Sequence, residues 1–264
     1  MTLTVICSVG GAPGCTTLAC LLAAVSPLER AAVVAECDPA GGVLASRFRL
    51  SPRVGTTSFV LAARHAAAGR TDLDPHLQQL PGGLEVLAGP PGSDAARIVD
   101  RECQGLTALA GAGRAVVVDA GRLDPSATGQ QALVGLADAV VVVTTDERGA
   151  VARVAAAADH LARAARGAVG LAVVTGRSAA AADAARTAGL QLAAAVPLDG
   201  PTAAVVRGDQ GRRRRLARAP LVRAAGALHS WADEAARSTP WVVEGSGSSG
   251  AATSLWSRGD DGAR

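Results

Sequence analysis

The chain has no lysine; all 26 of its basic residues are arginine. That excludes Schiff-base chemistry, a lysine general base and a lysine-bearing phosphate loop. Tyrosine is absent and aromatic residues make up 2% of the chain. Stacked aromatic platforms for single-stranded nucleic acid are therefore excluded. No stretch offers the roughly 20 uninterrupted apolar residues of a membrane span. The apolar run Leu3–Cys7 has no charged segment ahead of it, so no secretory signal is expected. The five cysteines form no Cys-x-x-Cys pair, and four of them lie in the first 37 residues. An odd count without a framework predicts reduced thiols and a cytoplasmic chain. The histidines (His65, His76, His160 and His229) stand too far apart for metal spacing. A net charge of +3 is too small to indicate a nucleic-acid partner by itself.

What is present is apolar and β-branched. Hydrophobic residues make up 49% of 264 positions, enough for a sizeable core, although alanine supplies much of them. Seven short runs read as strands: 3–9, 31–35, 84–88, 115–118, 139–143, 168–174 and 191–196. Each ends in a Gly, Asp, Pro or Thr cluster, and most lead into a longer Ala/Leu/Arg stretch with helical character. Near-continuous apolar strands alternating with helices predict an α/β fold. The expected architecture is a three-layer sandwich, a mostly parallel sheet with helices on both faces. One domain is expected over residues 1–237. Beyond it, residues 238–264 carry a Gly/Ser-rich run, 245–250, and read as a flexible tail.

The most informative segment is Val9-Gly10-Gly11-Ala12-Pro13-Gly14-Cys15-Thr16-Thr17, between the first strand and an Ala/Leu helix over 18–25. Small residues let backbone N–H groups and the helix N-terminus face an anion. Thr16 stands where a loop hydroxyl reaches Mg²⁺. An ordinary glycine turn between strand and helix would show part of the same pattern. The second strand ends in Glu36-Cys37-Asp38-Pro39-Ala40-Gly41-Gly42, and a third strand ends in Val118-Asp119-Ala120-Gly121. Both place carboxylates at the C-terminal ends of parallel strands, where α/β sheets bind ligands.

This order of motifs resembles the ParA/MinD-type ATPases, whose deviant Walker A loop reads Lys-Gly-Gly-x-Gly-Lys-Thr-Thr. Gly11, Gly14, Thr16 and Thr17 match it; Ala12 replaces a glycine. Gly10 stands at the signature lysine and Cys15 at the phosphate-binding lysine, so both are missing. The resemblance spans about residues 3–236. It implies a P-loop NTPase-like fold with ATP or ADP and Mg²⁺ bound by Gly10, Gly11, Ala12, Pro13, Gly14, Cys15, Thr16 and Thr17. Asp38 falls on the water-positioning residue. Thr16, Asp38 and Asp119 fall on the Mg²⁺ site, the acids acting through its water shell. Thr175 and Pro197 fall beside the nucleobase; a threonine there makes only part of an asparagine's paired hydrogen bonds.

Losing a preorganised cation of this kind costs about 10²–10³-fold in rate, which argues against rapid hydrolysis. Arg122, Arg148 and Arg177 are the candidate replacements on neighbouring loops. Cys15 at a helix N-terminus is a candidate reactive thiol, although a small residue in place of lysine is the simpler reading. The resemblance implies a positioning or partitioning factor; a metabolic P-loop enzyme is disfavoured, since no second substrate domain is visible and no acid/base constellation stands beyond Asp38 and Asp119. It suggests divergent actinobacterial members that accompany pilus or secretion ATPases, acting as a homodimer. The alternative is an ATP-hydrolysing chromosome or plasmid partitioning ATPase that binds DNA non-specifically. Arg212–Arg215 is the densest basic cluster, suited to DNA phosphates or an anionic membrane. A solvated arginine-rich face explains it equally well.

Overall fold

A computed structural model describes residues 2–11, 13–27, 31–66, 71–209 and 216–238. All seven runs form strands: β1 (Leu3–Ser8), β2 (Val33–Glu36), β4 (Glu85–Leu87), β5 (Val116–Arg122), β6 (Ala139–Thr145), β7 (Ala168–Thr175) and β8 (Gln191–Pro197). An additional two-residue strand, β3 (Gln78–Gln79), runs antiparallel to β4 at the sheet edge. The order is β3-β4-β2-β5-β1-β6-β7-β8, and every pairing except β3·β4 is parallel.

Ten α-helices flank the sheet among the described residues. They are α1 (Cys15–Ala24), α2 (Leu44–Phe48), α3 (Thr56–His65), α4 (Ser93–Arg101), α5 (Cys103–Thr107), α6 (Thr128–Leu136), α7 (Arg148–Ala164), α8 (Ser178–Ala188), α9 (Gly200–Val206) and α10 (Pro220–Ser238). The strand pleat divides them. Val5 and Cys7 of β1 face one layer with Phe59, Leu106, Leu133, Val154 and Ala181 from α3, α5, α6, α7 and α8. Ile6 faces the other layer with Leu18, Leu44, Ala203 and Leu228 from α1, α2, α9 and α10. The predicted three-layer sandwich is thus the observed one.

Packing strength is uneven across these layers. The β6 run buries six of its seven residues, four of them valine. A fully buried valine or leucine contributes on the order of 1.5–3 kcal/mol, whereas α7 and α8 bury mainly alanine, which removes little area. One large anchor offsets this on the other face: Trp231 of α10 lies against Gly170 of β7 and donates from Nε1 to Gln191 Oε1 at 3.0 Å. The expected tail and Arg212–Arg215 lie outside the described residues, apart from Ser238, the last residue of α10. No helix among the described residues is long and apolar enough to cross a membrane.

Candidate functional site

The loop after β1 is shaped by two glycines. Gly11 (φ +70°) and Gly14 (φ +90°) occupy the left-handed region, which side chains disfavour. Gly14 is the N-cap of α1, which begins at Cys15, three residues earlier than its apolar periodicity indicated. A glycine cap offers no side-chain acceptor, so the first N–H groups of this ten-residue helix remain open to an external anion. The Ser8 hydroxyl donates to the Gly11 carbonyl and pins the start of the loop. Ala12 lies outside the described residues.

Sheet order brings the acids beside this loop. Asp119 of β5 is in register with Ile6 on one side and Glu36 on the other. It is 1% exposed. Its Oδ1 accepts the Gly121 N–H at 3.2 Å, and the Thr16 hydroxyl lies close enough to the carboxylate to favour its charged form. Burial pushes its pKa up to about 7; the nearby Thr16 hydroxyl pulls against that shift, and the charge on Glu36 adds to it. Asp38 is half-buried at the end of β2, and its Oδ1 accepts the Ala40 N–H at 2.8 Å. Burial raises its pKa as well, partly offset by Arg122. A Cβ on Gly121 would lie 1.9 Å from Asp38 Oδ2, so glycine is required for this approach. The structure therefore brings Thr16, Asp38 and Asp119 to one side of the loop.

Glu36 has a different role. Its carboxylate accepts the N–H groups of Val43 (2.6 Å), Leu44 (3.1 Å) and Gly89 (2.9 Å), tying β2 to the start of α2 and the segment after β4. Cys15 is 2% exposed, and burial pushes its thiol up to about 12. This corrects the reactive-thiol reading: desolvation outweighs the helix N-terminus, and the thiol stays protonated.

A cleft of about 310 Å³ opens next to the loop. It is lined by Pro13, Gly14 and Thr17 of the loop and α1, by Val143, Val174 and Val196 of the strands, and by Pro197 to Gly200, with Arg207 of the segment after α9. Its lining is mainly apolar, the character of a base-sized pocket. Pro197 lines it. Thr175 does not line it: the Thr175 hydroxyl donates to Asp146 Oδ2 at 2.6 Å and accepts the Arg177 N–H at 3.1 Å. A larger cavity, about 610 Å³, lies at the opposite ends of β1, β2 and β5. Of the two, only the smaller cleft adjoins the glycine loop and the C-terminal strand ends, where parallel α/β sheets bind ligands.

Sequence reasoning missed Gln130. This buried side chain of α6 donates to the carbonyls of Ala120 (2.6 Å) and Arg122 (3.0 Å) and accepts the Asp124 N–H at 2.7 Å. It fixes the segment that carries Gly121 and Arg122 past Asp38. A glutamine beside a second one, Gln131, in a short helix gave no local signal of that reach.

Among the described residues, no group of three or more His, Cys, Asp or Glu is placed to hold a metal by itself. Mg²⁺ commonly takes one or two protein oxygens and completes its shell with phosphates and water. The Thr16 hydroxyl backed by a buried carboxylate, with Asp38 close by, fits that donor set.

No family model and no curated protein matches the sequence. Solved structures do match the fold. The septum site-determining protein MinD complexed with Mg-ADP, from Pyrococcus horikoshii OT3, aligns with a TM-score of 0.65 at 18% identity, over 89% of this chain and 97% of that one. A ParA family ATPase from Chlorobium tepidum TLS aligns at 0.62 and 13% identity, over 88% and 97%. The fold is that of the ParA and MinD ATPases. A third match is the MinC:MinD cell division complex of Aquifex aeolicus, with a TM-score of 0.55 and 15% identity over 88% and 94%. At these identities the likeness concerns the fold, and the site rests on the geometry above.

Proposed function

We propose that the chain is a nucleotide-dependent positioning or partitioning factor of the ParA/MinD type, with a phosphate loop altered towards binding rather than rapid hydrolysis. The observation that carries this reading is Thr16 set against buried Asp119, between an open helix N-terminus and an apolar cleft. ATP or ADP would place its base in the cleft and its phosphates on the loop. Thr16 would hold Mg²⁺, which supplies charge neutralisation at the phosphates; Asp119 would hold a water of its shell, and Asp38 would orient the attacking water. The loop itself contains no charged residue between Val9 and Thr17. Nucleotide occupancy is therefore the signal we assign, read by a second copy of the chain and by a protein partner. From the sequence resemblance, that partner is the ATPase of a pilus or secretion assembly. Arg212–Arg215 would attach the factor to DNA or an anionic membrane.

Calorimetric titration with Mg–ATP and Mg–ADP, with phosphate release followed on the same sample, tests this. Saturable binding with a dissociation constant below about 1 mM is expected. Turnover is expected about 10²–10³-fold below that of a lysine-bearing loop. Turnover without such a deficit would favour the partitioning-ATPase alternative, and absence of binding would overturn the nucleotide reading.

A further inference from the structure

The loop lacks a cation in sequence but not in space. Arg153, on the second turn of α7, folds back over the start of the loop. A Cβ built on Gly10 would lie 2.4 Å from Arg153 Nε, 3.1 Å from Cδ and 3.3 Å from Cζ. The guanidinium occupies the volume a side chain at position 10 would need. Among the described residues no carboxylate pairs with Arg153, although arginines 64, 114, 166, 186 and 207 all have acidic partners. Sheet order explains the approach. β6 lies beside β1, so the helix that follows β6 starts next to the loop that follows β1. On the opposite flank, β5 and β2 bring in Asp119 and Asp38. The loop thus lies between a carboxylate side suited to a metal and an unpaired guanidinium suited to phosphate oxygens.

We propose that Arg153 is the phosphate-binding cation of this site. It donates to the terminal phosphate of a polyphosphate ligand seated on residues 10, 11 and 13–17. The position within the ligand follows from the cleft, which adjoins Pro13, Gly14 and Thr17 but not Gly10. A base in the cleft directs the terminal phosphate towards Gly10 and Arg153. The planar guanidinium forms paired hydrogen bonds to phosphate and stays charged at any working pH. The inference rests on the phosphate-loop reading above and adds the residue that neutralises the ligand.

The test compares wild type, Arg153→Ala and Arg153→Lys, titrated with ATP, AMP and inorganic tripolyphosphate. Arg153→Ala should weaken ATP and tripolyphosphate about 10- to 100-fold, the range for a charged hydrogen bond, and leave AMP unchanged. Arg153→Lys should recover part of the loss. Gly10→Ala, whose methyl group would displace the guanidinium, should reproduce the alanine result, with thermal melting confirming that it is folded. Unchanged ATP affinity in Arg153→Ala would overturn this assignment and leave the nucleotide reading standing. Arg153-dependent binding of tripolyphosphate without binding of ATP would uphold the assignment and overturn the nucleotide reading. No binding of any of the three to wild type would overturn both.

Discussion

Replacing Glu36 by alanine should destabilise the protein by about 3–5 kcal/mol. The helix α2 starts at Leu44 with Val43 as its N-cap, and a valine side chain offers no acceptor. Glu36 supplies the acceptor from seven and eight residues away, taking the N–H groups of both Val43 and Leu44. Its other oxygen takes the Gly89 N–H across a strand. The space is tight: a Cβ on Gly42 would lie 2.4 Å from Glu36 Oε2. Alanine leaves two buried donors and one partly buried donor without partners, each buried one costing roughly 1–3 kcal/mol, and opens a void the clamped segments cannot readily fill. Glutamine should cost less, because its carbonyl can keep the α2 pair while its amide group faces the Gly89 donor. Urea unfolding monitored by circular dichroism should show a lower midpoint with an unchanged slope. A loss under about 1 kcal/mol for Glu36→Ala would mean that Glu36 does not hold these segments together.

The same residue shows where sequence reading reaches its limit. The position of Glu36, at the end of a parallel strand two residues before Asp38, drew attention as half of an acidic motif. Its partners belong to α2 and the β4 loop, and only the folded chain brings them in. Strands were legible because valine-rich runs encode both period and burial in adjacent residues. β3 was not, because Gln78 and Gln79 are polar and half-exposed or exposed, and pair only through a tight turn at Pro81-Gly82-Gly83. The loop and its acids were legible as local patterns of glycine, threonine and aspartate. The cation was not. Arg122 ends β5, Arg148 opens α7 after β6 and Arg177 caps α8 after β7, where sequence adjacency places them. Of these, Arg122 influences Asp38, whereas the arginine that reaches Gly10 lies five residues into α7. Its reach depends on β6 pairing with β1, a long-range fact that no local pattern contains.

Replacing Asp119 by asparagine should stabilise the ligand-free protein at alkaline pH, while removing the metal site. In the folded chain this carboxyl has a pKa of about 7, against 3.8 for the ordinary side chain, with burial as the main cause. Between those values the native state holds a proton that the unfolded state has released. Stability therefore falls as pH rises from about 4 to about 7, the sign required when the folded state binds more protons. Full ionisation costs on the order of 4 kcal/mol. Burial shifts Glu36 and Asp38 in the same direction, which steepens the trend. Asparagine removes the charge and keeps an oxygen for the Gly121 N–H. Wild type should thus melt at falling temperature between pH 5 and pH 8.5. Asp119→Asn should give a flatter profile and melt higher at pH 8.5 by roughly 5–10 °C. Mg–ATP should then raise the wild-type melting temperature most where Asp119 is ionised and should do less for the asparagine variant, since the cation relieves a charge only wild type carries. This cost is borne at the C-terminal end of the central strands, directly behind Thr16, where a purely structural residue would be apolar. A wild-type profile independent of pH, or a lower melting point for Asp119→Asn at pH 8.5, would show that the carboxylate is accommodated without a cation and would remove the strongest physical reason for placing Mg²⁺ there.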